Sequence, residues 1–232
     1  MATKTMILEV LQRAQQDRDA FVMRLSPVER QASGTPDHWA PKDTLAHLAA
    51  WCERLAQRLR DPTTPPVADF NQQNDAFFQA HRHQSLEEIL VYSQRVYGEL
   101  TAIVDSLAEA ELQDTQRFPV DEAPLWQRFV GAAYTHPLTH YSLHDIARGD
   151  IELANRLHEQ ALEWLSPLDD SPRWRGNLLY NLACQYALAG ARSQALQRLR
   201  EALALAPGLV EWSKQDSDLA SLREHPDYWA LY

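Results

Sequence analysis

Apolar residues recur at three- and four-residue intervals through almost the whole chain, and no segment alternates polar and apolar positions with β-branched residues. That periodicity predicts an all-α protein. Residues 5–25 carry a stripe of Ile7, Leu8, Leu11, Ala14, Phe21, Val22 and Leu25. Ser26-Pro27-Val28-Glu29 is a capping box with proline at the first helical position, so a short helix starts there. Residues 31–41 hold a glycine and two prolines and read as a loop. A second long helix runs from about Pro41 to Arg60, with Leu45, Leu48, Ala49, Cys52, Leu55 and Leu59 inward, and the proline-rich run after Asp61 stops it. Residues 67–84 show little periodicity. Phe70, Phe77 and Phe78 want burial there, and a short helix within a long connection is expected. Ser85-Leu86-Glu87-Glu88 opens a third long helix, with Ile89, Val96, Leu100 and Val104 among its inward positions. A fourth runs from about Pro124 to Ala147, with Trp126, Phe129, Val130, Ala133, Leu138, Tyr141 and Leu143 as its apolar positions. Four long amphipathic helices with one long crossover describe a four-helix bundle over roughly residues 1–150.

After Gly149 the composition shifts toward Leu and Ala. Leu179, Leu182, Ala183, Tyr186, Gly190, Ala195, Leu199, Ala202 and Pro207 occupy the spacings of one tetratricopeptide repeat. Ala161 and Leu165 stand in phase with Ala195 and Leu199, which suggests a degenerate half-repeat at 151–166. Such repeats usually need three or more units to bury a continuous core. Residues 151–232 are therefore expected to pack on the bundle as a short helical extension. Its tail should form a capping helix and a terminal turn, with Trp212, Leu219, Leu222, Tyr228 and Trp229 closing the end.

The chain has 232 residues, which suits one large domain or two small ones. Two cysteines cannot frame a disulfide scaffold or a Cys-based zinc finger. A net charge of −10, with no basic run, argues against nucleic-acid binding. No apolar stretch is long enough to span a membrane. The apolar run at the N-terminus ends at Glu9, unlike a signal peptide, so a cytoplasmic protein is expected.

Nine histidines are many for this length, and three of them cluster as His136, His140 and His144. Each adjacent pair is four apart and shares a helix face. His47 stands in the apolar stretch of the second helix. One histidine facing a pair at this spacing is how a bundle builds a three-nitrogen metal site, and imidazole suits Zn, Ni, Cu or Fe. Pro137 removes one ladder bond and clashes with the Ala133 carbonyl, which predicts a kink or break at about 133–137. If that swings His136 aside, His140 and His144 become the better pair. Asp43 is either an outer partner that orients His47 or a carboxylate at a helix start. Trp39 and Trp51 flank His47 and are either pocket walls or plain core. Cys52 and Cys184 read as buried small hydrophobes.

The run from His38 to Trp51 resembles the W-x-x-K-D-x-x-A-H-x-x-x-W signature of DinB-like four-helix bundle proteins, with the ClbS/DfsB-type branch nearest. Asp69-Phe70-Asn71, the helix start at Ser85 and the segment Tyr134 to His140 resemble further elements of that branch. The D-x-D-L-x-x-L-R-x-x-P run at Asp216, Asp218, Leu219, Leu222, Arg223 and Pro226 is similar to the end of short tetratricopeptide-containing tails. The resemblance implies a divalent transition metal, zinc, nickel or iron, on His47, His136 and His140. Some members act with a low-molecular-weight thiol, and the ClbS-type branch opens an electrophilic ring of a genotoxin.

Two functions follow as expectations. The first is a metal-dependent hydrolase or thiol-dependent transferase acting on a small electrophile. It requires His136 and His140 to be shielded from solvent. The second is a non-catalytic protein that binds a protein partner through its C-terminal helices. A homodimer through the bundle helices suits either.

Overall fold

The helices start where the sequence supplies caps. In the computed structural model, which describes residues 2–117 and 123–232, α1 (Lys4–Arg24) begins with the Thr3 hydroxyl accepting from the Met6 amide. The α2 helix (Pro27–Gln31) carries a reciprocal Ser26–Glu29 capping box. Ala40 before α3 (Pro41–Arg60) has no capping side chain. The Asp43 carboxylate takes over that role, accepting from the Ala40 amide at 3.0 Å and the Gly34 amide at 2.8 Å. Asp69 caps α4 (Phe70–His81), and Ser85 with Glu88 caps α5 (Leu86–Ser106). A single turn, α6 (Glu109–Leu112), follows.

The fourth long helix is not uniform. It comprises α7 (Leu125–Val130), a π-helical turn at Gly131–Thr135, and α8 (His136–Ala147). The remaining elements are α9 (Ile151–Leu165), α10 (Pro172–Leu188), α11 (Arg192–Leu205), α12 (Val210–Ser213) and α13 (Pro226–Trp229). No strand occurs among the described residues; Thr35 and His38 form an isolated bridge. No described helix is long and apolar enough to cross a membrane.

By contacts the chain divides into two units, Thr3–Pro137 and one holding Leu138–Tyr232, with the division falling inside α8. In the first, α1, α3, α5 and the α7–π segment pack together around Ile7, Leu11, Phe21, Leu45, Ile89, Leu100, Trp126 and Phe129. In the second, α10 and α11 form a helical hairpin turned by Gly190, whose φ of 75° favours glycine. Ala183, Ala195 and Ala202 are fully buried, so the two backbones approach closely.

Some expected positions differ. Phe70 is exposed, though its ring lies 5.6 Å from Trp51, while Phe78 is buried. Leu143 is exposed, because the buried face of α8 runs through Leu138, Tyr141, Ser142 and Asp145, well around the helix from it. The tail is not one capping helix. Asp216 caps a 3₁₀ segment (Ser217–Leu222), Pro226 restarts α13, and three short turns result. Leu219, Leu222 and Tyr228 are buried as expected, whereas Trp212 and Trp229 are exposed and anchored by their indole N–H groups to Asp216 and the Arg223 carbonyl.

Two stability predictions follow from this packing. A Cβ at residue 34 would lie 2.5 Å from the Ala40 nitrogen, the His38 oxygen and the Asp43 carboxylate. Gly34→Ala should therefore cost about 1–3 kcal/mol in denaturant unfolding. Burial pushes the His158 ring down from 6.5 to about 4, so it is neutral when folded and takes a proton when unfolded. Stability is full above pH 6.5 and drains as pH falls from 6.5 toward 4, by roughly 3 kcal/mol from this group. His158→Phe should flatten that part of the stability–pH curve.

Candidate metal centre

Pro137 has no N–H to give the Ala133 carbonyl four residues earlier, and the π turn is how the backbone accommodates this. The His136 amide bonds the Gly131 carbonyl, one residue further back than in an α-helix. Two carbonyls are thereby left without ladder partners. The Tyr97 hydroxyl donates to the Ala133 oxygen at 2.7 Å, and the Cys52 thiol approaches the Ala132 oxygen at 3.3 Å. These side chains come from α5 and α3. They tie the turn to both helices and set the start of α8 against the middle of α3.

The result is a convergence of imidazoles. The His47 Nε2 lies 3.3 Å from the His136 Nε2, with the rings 5.1 Å apart and inclined at 73°. His140 follows one turn later on α8, and one ligand atom from each of the three residues lies within 4.8 Å of the others. His47 is buried, and His136 and His140 are partly buried, so neither of the pair is fully exposed. His136 is not swung aside: the widened turn takes up the irregularity before residue 136, and α8 is regular from there. His144 does not join the cluster. Burial, with a smaller contribution from the neighbouring His144, holds the His140 ring down at about 4, so it is a neutral lone-pair donor at neutral pH.

The donor set fits a metal. Two nitrogens about 2.0–2.1 Å from one tetrahedral ion stand about 3.3–3.4 Å apart, the separation of the two Nε2 atoms. Three imidazoles suit zinc, nickel or iron and leave a fourth position for water or substrate.

The surroundings are aromatic. Trp39 lies 4.5 Å from the His47 ring, and Trp51 meets it edge-on at 6.3 Å. The Trp51 indole donates to Asn74 at 3.0 Å and packs on Phe77, both on α4. Asp43 is occupied as the cap of α3. Cys52 is fully buried, which pushes its thiol up to about 12. Sequence reading missed Tyr97 and Asn74. Tyr97 falls one residue after Val96 on the inward face of α5, and a tyrosine buried there needs a partner for its hydroxyl. Asn74 carried no periodic signal.

An all-helical chain with a histidine cluster between its second long helix and its fourth defines the class. The model of the DinB superfamily matches residues 10–146, and the chain belongs to that superfamily, whose members often bind metals. No curated protein and no solved structure matches the chain.

Tyr97→Phe should leave the Ala133 carbonyl unpaired and cost about 1–3 kcal/mol of stability. In a Pro137→Ala background the same carbonyl gains an amide donor, so the penalty should shrink. A double-mutant cycle in denaturant measures the difference.

Proposed function

We propose that the chain is a metal-dependent enzyme, a hydrolase or a thiol-dependent transferase, that attacks a small electrophile in detoxification or self-protection. The observation that carries this reading is the convergence of His47, His136 and His140. A bound zinc, nickel or iron ion would act as a Lewis acid, bringing water or a low-molecular-weight thiol toward its ionised form near neutral pH. His140 contributes a lone pair that burial keeps free of protons. Trp39 and Trp51 shield His47 and limit what can approach from its side. The nearest thiol, Cys52, is buried, bonded to the backbone and far from ionised, so the attacking group comes from outside the chain. Within the superfamily we assign the chain to the ClbS/DfsB-type branch on the Trp39–Trp51 signature. We read 1–150 as the bundle and 151–232 as a tetratricopeptide-like segment with a capping tail.

A second reading, protein binding through the C-terminal helices, draws on the exposed Trp164, Trp212 and Trp229. It needs no metal.

Elemental analysis of untagged protein separates the two. About one equivalent of zinc, nickel or iron is expected, lost in His47→Ala with the helical circular dichroism unchanged. Wild-type protein that stays metal-free after incubation with all three ions would remove the enzymatic reading.

A further inference from the structure

The unit holding Leu138–Tyr232 contains a cavity of about 150 Å³ whose lining includes His158, Tyr180, Gln185, Trp212, Asp216 and Asp218. It is independent of the histidine cluster and of the function proposed for it. Its chemistry is one-sided. The His158 ring, only 6% exposed, bonds the Leu138 carbonyl, and its Nε2 has no partner. The bond to a carbonyl places the proton on Nδ1, so Nε2 presents a lone pair. Gln185 is 1% exposed; its amide nitrogen donates to Asn155, and its Oε1 has no partner.

The two carboxylates add charge. Asp216 is buried and accepts from the Tyr180 hydroxyl at 2.7 Å, the Trp212 indole at 2.9 Å and the Asp218 amide at 3.0 Å, with the Cys184 thiol at 3.9 Å. All of these donors are neutral. The Asp218 carboxylate accepts no hydrogen bond, and no described Lys, Arg or His pairs with either acid. Burial, then the Asp216 charge, holds the Asp218 carboxyl above its usual range. Two neighbouring carboxylates and two buried, unpartnered acceptors thus line a space with no described cation on either carboxylate, the Arg223 guanidinium being bonded to the Asp216 carbonyl instead, an arrangement costly to leave unmatched.

We propose that this cavity binds a small organic cation bearing N–H donors, an alkylammonium or a guanidinium group. Water can satisfy the acceptors but cannot balance the charge. A metal ion does not suit, because no three described His, Cys, Asp or Glu side chains here bring ligand atoms as close together as the histidine cluster does. The volume admits a few heavy atoms, well below the roughly 300–1,000 Å³ of a drug-sized site. Asn181 and Trp212 are exposed among the lining residues, so the cavity opens to solvent on that side. The indole and the Tyr180 ring offer aromatic surface suited to a cation. The cation is either a free amine or a lysine or arginine side chain of a peptide.

Calorimetric titration of the full chain tests this, with n-butylammonium and methylguanidinium as free probes, a blocked Gly-Lys-Gly peptide as the side-chain probe, and n-butanol as the neutral control. Saturable binding of the free cations, weakened about tenfold by Asp218→Asn and by Gln185→Met, is expected. Asp218→Asn breaks no side-chain bond, so it should fold normally. Peptide binding as tight as that of the amine assigns the source to a protein side chain; binding of the amine alone assigns it to a free small molecule. The proposal falls if no cation saturates by roughly 10 mM, if n-butanol binds equally well, or if Asp218→Asn leaves affinity unchanged.

Discussion

Where His136 stands relative to His47 depends on how the backbone before Pro137 finds its hydrogen bonds. A proline inside a helix leaves one carbonyl without a donor, and a buried carbonyl cannot be left so at small cost. Here the helix widens for one turn, and the two bypassed carbonyls are met by Tyr97 and Cys52 from neighbouring helices. The same bonds that satisfy the backbone tie the π turn to α3 and α5. Without the wide turn, His136 would stand about 100° further around the helix relative to Gly131 and the residues before it. The metal-ligand spacing and the proline are thus two parts of one arrangement.

Much of the architecture was legible because it rests on local rules. The apolar stripes and the capping boxes at Ser26 and Ser85 place α1, α2, α3 and α5 within a residue or two of where they are found. The H-x-x-x-H spacing and the single inward His47 pointed to the residues that converge. What was not legible depends on partners distant in sequence. Nothing local says that Tyr97 will meet Ala133, or that the irregularity will be a π turn before His136 rather than a break that removes it. Spacing alone could not choose between His136 and His144. Packing of the turn against α3 and α5 makes that choice. The tail misled for a related reason: its apolar residues are spaced for a helix, but Asp216 and Pro226 divide it into short turns.

Charge is handled differently at the two polar sites. At the histidine cluster, burial removes charge: His140 is held neutral, and Asp43, the one carboxylate placed by sequence to serve His47, is committed to the Gly34 and Ala40 amides. A neutral imidazole there presents its lone pair to a bound ion. At the cavity beside Asp216 the opposite holds. Two carboxylates stand together, and the side-chain donors to the Asp216 carboxylate are neutral.

The commitments of nearby groups also restrict the chemistry. Cys52 and Tyr97 bond to the backbone, Asp43 caps a helix, and Trp51 is held by Asn74. These four side chains already have structural partners. General-base or nucleophilic work by any of them would have to break one of these bonds and loosen the π turn or the start of α3 with it. The three histidines are the side chains whose ligand atoms converge. A centre built this way can hold an ion and orient what binds to it, and it leaves the reacting atoms to be supplied by the ion's open position, by solvent and by small molecules.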